Sequence, residues 1–204
     1  MEIQRESRII AKRETILAAS TAAFRDEGYE STSMDRIAEL AGASKRTVYN
    51  HFGSKEALFQ AVVARLFEET MALKQVSWDP ERTLEEQLAE FVRVKTLLSE
   101  DKAALCLTRV VLGVYIKQPD LLRDAVARLA EDDIAIANWL RAAHQAGHLS
   151  VPDPELAAHM FGKMTAGVLF WPQLLEGQMD PDTRERLTRE LVQTFLARYR
   201  SASG

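Results

Sequence analysis

The chain has 204 residues, 47% of them hydrophobic, with 26 Lys and Arg against 30 Asp and Glu for a net charge of −4. Such a composition supports a folded core and excludes a uniformly basic nucleic-acid-coating protein, so any DNA-binding surface has to be local. A single cysteine excludes a disulfide framework, no apolar run reaches the roughly 18 residues of a membrane span, and the charged start "MEIQRESR" is unlike a secretory leader, so the expectation is a cytoplasmic protein without membrane contact.

From Glu2 to Glu27 apolar residues including Ile9, Ile16, Ala19, Ala23 and Phe24 recur at helical spacing, and Gly28 terminates the run. Ser33 is an N-cap for a second helix with Asp35 in its first turn, Ile37, Leu40 and Ala41 facing inward, and Gly42 at its end. Ser44 caps a short third helix and Ser54 a fourth, which runs to about Leu73. All six prolines lie at or beyond Pro80, and past "QVSWDPERT" the spacing predicts five longer helices: 81–99, 101–118, 119–146, 154–176 and 181–200. Pro172 falls within the fourth of these and predicts a kink or an end there. Cys106, among apolar neighbours, reads as a small buried residue. With no alternating strand pattern and no repeat, the fold class is all-α, about nine helices.

The stretch "GASKRTVYNHFGSKEAL", residues 42–58, is where chemistry concentrates. Two helices joined by "GASK" fit a helix-turn-helix unit, whose second helix enters the DNA major groove. Val48 and Phe52, four apart, pack inward on Ile37 and Leu40; the opposite face then presents Lys45, Arg46, Thr47 and Tyr49, with Asn50 and His51 near its end. Lys and Arg pair with guanine edges, Thr touches a thymine methyl, and hydroxyl, amide and imidazole groups hold phosphates. The helix starts at Ser33 and Ser54 add free N–H groups for phosphate, the second aided by Lys55. Taken alone, "SKRT" is equally a solvated helix start. Residues 1–60 carry nine bases and nine acids, so the net −4 belongs to the remainder.

Residues 13–63 resemble the DNA-binding domain of TetR-type transcriptional regulators, through the "F…GY" ending of the first helix, the "TSMDRIA" start of the second and "AGASKRTVYNHFGSKEAL". "LLSEDKAALCLTRVVLGVYIKQPDLLRDAV" and "GHLSVPDPELAAHMFGKMTAGVLF" are similar to the C-terminal domain of the AefR-like subgroup. The resemblance implies a helix-turn-helix DNA-binding domain (1–58) and a helical ligand-binding and dimerisation domain (59–204). It implies a homodimeric regulator, a repressor that binds a palindromic double-stranded operator and is released by a small, largely apolar effector, with no cofactor. Carried over by position, Ser33, Arg36, Ser44, Lys45, Arg46, Thr47, Tyr49, Asn50, His51 and Lys55 form the DNA-binding set, Arg36 standing in for Met34, where relatives carry a hydroxyl or a base. Arg5, Arg8 and Lys12, ahead of the matched region, either reach the DNA or belong to a solvated terminus.

An effector needs an apolar cavity with a few polar handles. Phe91, Val94, Val110, Val114, Tyr115, Trp139, Met164 and Trp171 are candidate walls; such a stripe at helical spacing is more often packed core than pocket lining. The resemblance places the dimer interface on the last two long helices, through Phe161, Thr165, Val168, Leu169, Leu187, Leu191 and Phe195. No catalytic or metal-binding motif occurs. His144 and His148 are four apart but straddle Gly147 at a helix end, which makes an enzyme a minor reading. An adaptor that kept the fold but lost operator binding is a further alternative, to be separated from the regulator by an operator-binding assay.

Overall fold

The structure, a computed structural model, describes residues 2–68, 76–123 and 131–201. Among them all regular structure is helical apart from one isolated antiparallel bridge between Leu149 and Arg200. The helices are α1 (Glu2–Glu27), α2 (Met34–Leu40), α3 (Lys45–Phe52), α4 (Lys55–Glu68), α5 (Leu84–Glu100), α6 (Lys102–Lys117), a helical segment at 119–123, α7 (Glu131–Gln145), α8 (Pro154–Thr165), a π-helical turn (Ala166–Phe170), α9 (Trp171–Glu176) and α10 (Pro181–Tyr199). The parts of the anticipated fourth and seventh helices at 69–75 and 124–130 lie outside the described residues.

The chain divides into two compact units, residues 1–66 with 106–125 and residues 67–105 with 126–204. In the first, α1 turns Ile16, Leu17, Ser20, Ala23 and Phe24 inward, and α4 contributes Leu58, Phe59, Val62 and Val63, all buried. Phe24 meets Phe59 edge to face at 5.1 Å, and Tyr29 lies 4.6 Å from the same ring. These contacts tie α4 to the N-terminal helices, so the compact unit extends past residue 58. Cys106, expected inside, is exposed on α6.

Caps read from sequence govern the helix-turn-helix. Ser33 Oγ accepts from the Arg36 N–H at 3.1 Å, Ser44 Oγ from the Thr47 N–H at 3.1 Å and Ser54 Oγ from the Ala57 N–H at 3.1 Å. α2 ends in a Schellman closure: the Ala43 N–H donates to Ala38 O at 2.9 Å and the Gly42 N–H to Glu39 O at 3.1 Å. Gly42 has φ +52°, a conformation that penalises a side chain. α2 buries Met34, Ile37 and Ala38, with Ala41 just beyond. Leu40, expected inward, is 45% exposed because it falls off the face those four positions define.

In the second unit α5 opens with a reciprocal capping box between Thr83 and Glu86. Its core joins α5, α7, α8, the π turn and α10 through Leu88, Phe91, Trp139, Leu140, Phe161, Leu169, Leu191 and Phe195. Gln87, fully buried, is satisfied throughout: its amide N–H groups donate to Asp79 O, Arg82 O and Thr83 O, and its Oε1 accepts from the Asp79 N–H and the Trp139 indole, each at 2.9 Å. Pro172, expected to kink or end its helix, lies instead in α9, directly after a π turn, and the helical backbone runs on through it. With no N–H to offer the Val168 carbonyl and a ring that crowds it, the helix widens to a π turn, closed by the Trp171 N–H on Ala166 O.

Candidate nucleic-acid interface

α3 is eight residues long and is held by one buried anchor, Val48, with no exposed surface. Phe52, its expected companion, is half-buried and lies beneath the Arg13 guanidinium, 5.0 Å from the ring centroid. Arg46, Tyr49 and Asn50 are exposed, and among the described residues Arg46 forms no ion pair. Thr47 is half-buried, its hydroxyl 2.8 Å from that of Ser44, which links the cap to the first turn. His51 is half-buried beside Phe52, with ring centroids 6.4 Å apart.

The other members of the sequence-derived set are engaged within the chain. Lys45 Nζ donates to Asp35 Oδ2 at 2.9 Å, and this acid holds the ammonium pKa above its ordinary value. Arg36 bonds Glu27 at 2.9 Å and Glu39 at 2.9 Å, which likewise raises its pKa. Lys55 donates to Glu30 O at 3.2 Å and lies 4.5 Å from the centroid of the Tyr29 ring. Burial first, then the Glu56 and Glu30 carboxylates, push the Tyr29 phenol up to about 12, so the ring under Lys55 stays neutral. Met34 is buried, so its side chain is a core anchor rather than a phosphate contact.

The helix starts also differ from open phosphate sites. The Glu56 backbone N–H and the Ser54 hydroxyl bond the Glu56 carboxylate and lower its pKa, so an acid already sits at the N-terminus of α4. Asp35 is the acid in the first turn of α2. Exposed pairs of this kind are weak, and a phosphate can displace them.

The candidate effector walls separate. Phe91, Val94 and Trp139 are core, Trp139 meeting Phe91 at 6.0 Å and Trp78 at 5.5 Å. Met164 packs against that core, and Trp171 is 41% exposed. Val110, Val114 and Tyr115 belong to the first compact unit. A cleft of about 550 Å³ in the second unit is lined instead by Trp78, Arg82, Glu85, His148 and Arg200 among others, with Arg200 paired to Glu85. Packed core and pocket lining have the same composition, which is why sequence did not tell them apart.

The candidate interface residues lie mostly inside this chain. Phe161, Thr165, Leu169, Leu191 and Phe195 are buried within the single chain, Phe161 meeting Phe195 at 4.9 Å, and Leu187 packs against the same core. Only Val168 of that set is exposed. Along α8, the π turn and α9 the exposed large apolar residues are Leu156, Met160, Val168, Trp171 and Leu175, with half-buried Met164 between the second and third. Leu156, Met160, Met164 and Val168 follow at intervals of four; Trp171 comes three residues on, directly after the π turn, and Leu175 four after that.

His144 and His148 do not converge: His144 Nδ1 lies 3.1 Å from Leu149 O, and His148 faces Trp78 at 5.2 Å. Among the described residues no group of three or more His, Cys, Asp or Glu is placed to hold a metal, and no helix is long and apolar enough to cross a membrane.

Residues 16–62 match the profile for bacterial regulatory proteins of the tetR family, and residues 86–201 that of the AefR-like transcriptional repressor C-terminal domain. The chain is similar to the HTH-type transcriptional regulator RutR of Escherichia coli K12, 29% identical over 161 residues, covering 74% of this chain and 71% of RutR. A TetR family transcriptional regulator from Pseudomonas syringae pv. tomato DC3000 superposes with a TM-score of 0.74 at 37% identity, covering 92% and 96% of the two chains. SmeT of Stenotrophomonas maltophilia, in complex with triclosan, gives 0.74 at 26% identity, covering 95% and 93%.

Proposed function

Because the chain belongs to the TetR family of bacterial transcriptional regulators, with an AefR-like C-terminal domain, we propose that it is a cytoplasmic homodimeric repressor that reads a palindromic operator with α3 and is released by a small, largely apolar effector. The observation that carries this reading is the arrangement of α3: Val48 is fully buried while Arg46, Tyr49 and Asn50 project outward from a helix capped by Ser44. A short helix anchored on one face with a base, a phenol and an amide on the other is suited to groove edges and flanking phosphates. Ser33, Ser44, Thr47 and His51 then supply backbone contacts, and Lys45, Arg36 and Lys55 exchange their internal partners for phosphate.

The functional division we propose keeps 1–58 for DNA and 59–204 for effector and partner. The dimer face is the exposed stripe Leu156, Met160, Val168, Trp171 and Leu175, whose burial against a second copy removes apolar surface from water. SmeT, which is similar to this chain, binds triclosan, and an apolar effector of that kind suits a helical second unit. An effector acts only through a difference in affinity between two states of the protein.

The test is binding of purified protein to DNA from upstream of its own gene, against a scrambled competitor, across a salt series. Competitor-resistant binding near physiological salt is the expected result. Binding that falls away equally on that DNA and on duplexes selected from a random pool sinks the reading and favours the adaptor.

A further inference from the structure

Lys12, on the N-terminal half of α1, is half-buried, and its ammonium donates to Ala41 O at 3.2 Å and to Gly42 O at 2.9 Å. These carbonyls end α2 and form the turn into α3. The Schellman closure uses the carbonyls of Ala38 and Glu39, so those of Ala41 and Gly42 are left for an outside donor. A cation is the favoured donor there, since the C-terminal end of a helix carries partial negative charge. The next residue, Arg13, lies over Phe52, the last residue of α3. Adjacent side chains of α1 thus hold both ends of the segment that presents the reading face: the turn before it and the ring that closes it. Both residues precede the stretch that the family's N-terminal profile matches, 16–62.

We infer that Lys12 and Arg13 are positioning residues for DNA recognition, a clamp from α1 that fixes the direction of α3 without touching DNA. The inference rests on the reading that α3 binds an operator. Its chemistry differs from that of a basic arm. An ammonium shared between two carbonyls is withdrawn from the phosphates, so its contribution to binding reaches the DNA through the turn.

The experiment uses the full chain and a duplex selected from a random pool by the wild-type protein. Lys12→Met retains side-chain length and removes charge and donors; Lys12→Arg restores both. The expected result for Lys12→Met is an operator affinity lower by about three- to tenfold, a reduced preference over scrambled duplex, and an unchanged slope of log K against log salt, with Lys12→Arg restoring preference. A slope shallower by about 1, with equal loss on both duplexes, identifies a direct phosphate contact and overturns the clamp. Unchanged affinity overturns it as well.

Hydrogen exchange without DNA gives an independent readout. Lys12→Met and Arg13→Met should speed exchange in residues 41–52 and leave the Phe59 segment of α4 protected. Unaltered exchange in 41–52 overturns the clamp even where DNA binding changes. Failure of the wild-type chain to enrich any duplex is the separate outcome that removes the DNA-reading premise.

Discussion

The Lys45 ammonium lies 2.9 Å from the Asp35 carboxylate, so a cation at the first position of the reading helix is matched by an acid at the start of the helix before it. Both side chains are more than half exposed, and the pair adds little to stability. On the proposed reading, in which α3 enters the groove, Asp35 competes with a backbone phosphate for the Lys45 ammonium.

Asp35→Asn therefore strengthens binding to operator and scrambled DNA alike, and the salt dependence steepens by up to about one ion as Lys45 becomes available. Titrations of both duplexes over a salt series read both quantities. A variant that binds more weakly would mean Asp35 has a positive role, such as holding Lys45 in place for a base.

Arg46 and Tyr49 separate reading from holding. Arg46→Ala relaxes discrimination at particular base pairs, by about 1–3 kcal/mol for each bidentate hydrogen-bonded pairing removed. Tyr49→Phe weakens binding similarly on every sequence. Competition with single-substituted operators distinguishes them, and two variants with unchanged affinity and preference would move the interface elsewhere.

Leu175→Glu and Met160→Glu place charge on the exposed stripe, and sedimentation velocity should show monomers that have lost cooperative operator binding. Phe161→Ala acts differently because its ring is internal: unfolding free energy falls by about 3–5 kcal/mol. Persistence of the dimer in both charged variants would put the interface on another face.

Gln87 satisfies the Trp139 indole and the Asp79 backbone from a fully buried position. Gln87→Leu leaves those groups without partners, and each costs about 1–3 kcal/mol. Urea unfolding followed by tryptophan fluorescence should show a lower midpoint with a similar slope.

Acid sensitivity has a definite sign. The backbone N–H and then the side chain of Thr83 hold Glu86 below the usual carboxylate range, and the side chain and then the backbone N–H of Thr183 do so for Asp180. A folded-state pKa below the unfolded one gives stability that is fully present above the unfolded value and is lost as pH falls through the folded one. Between about pH 6 and pH 3 the urea midpoint of the wild type should drop further than that of Glu86→Gln combined with Asp180→Asn.

What the sequence disclosed followed the range of the interactions. Ser33, Ser44 and Ser54 act on N–H groups three residues away, and the pattern of α1 repeats every turn, so both were legible. Trp139 finding Gln87, Lys45 finding Asp35 and Lys12 finding Ala41 depend on how helices meet, which spacing along one helix does not contain. The same limit applies to Phe161 and Phe195: a stripe on each helix was visible, but not that the two rings meet within one chain. Pro172 announced a disturbance, and only the folded backbone reveals that the helix widens to a π turn and runs on.

The exposed thiol of Cys106 belongs to the same compact unit as α3, and it is the chain's sole cysteine. One nitroxide per protomer can thus be attached to the natural sequence without substitution. In a dimer the electron spin–spin distance would follow the separation of the two reading units, and a titration with candidate effectors would register as a change in that single length.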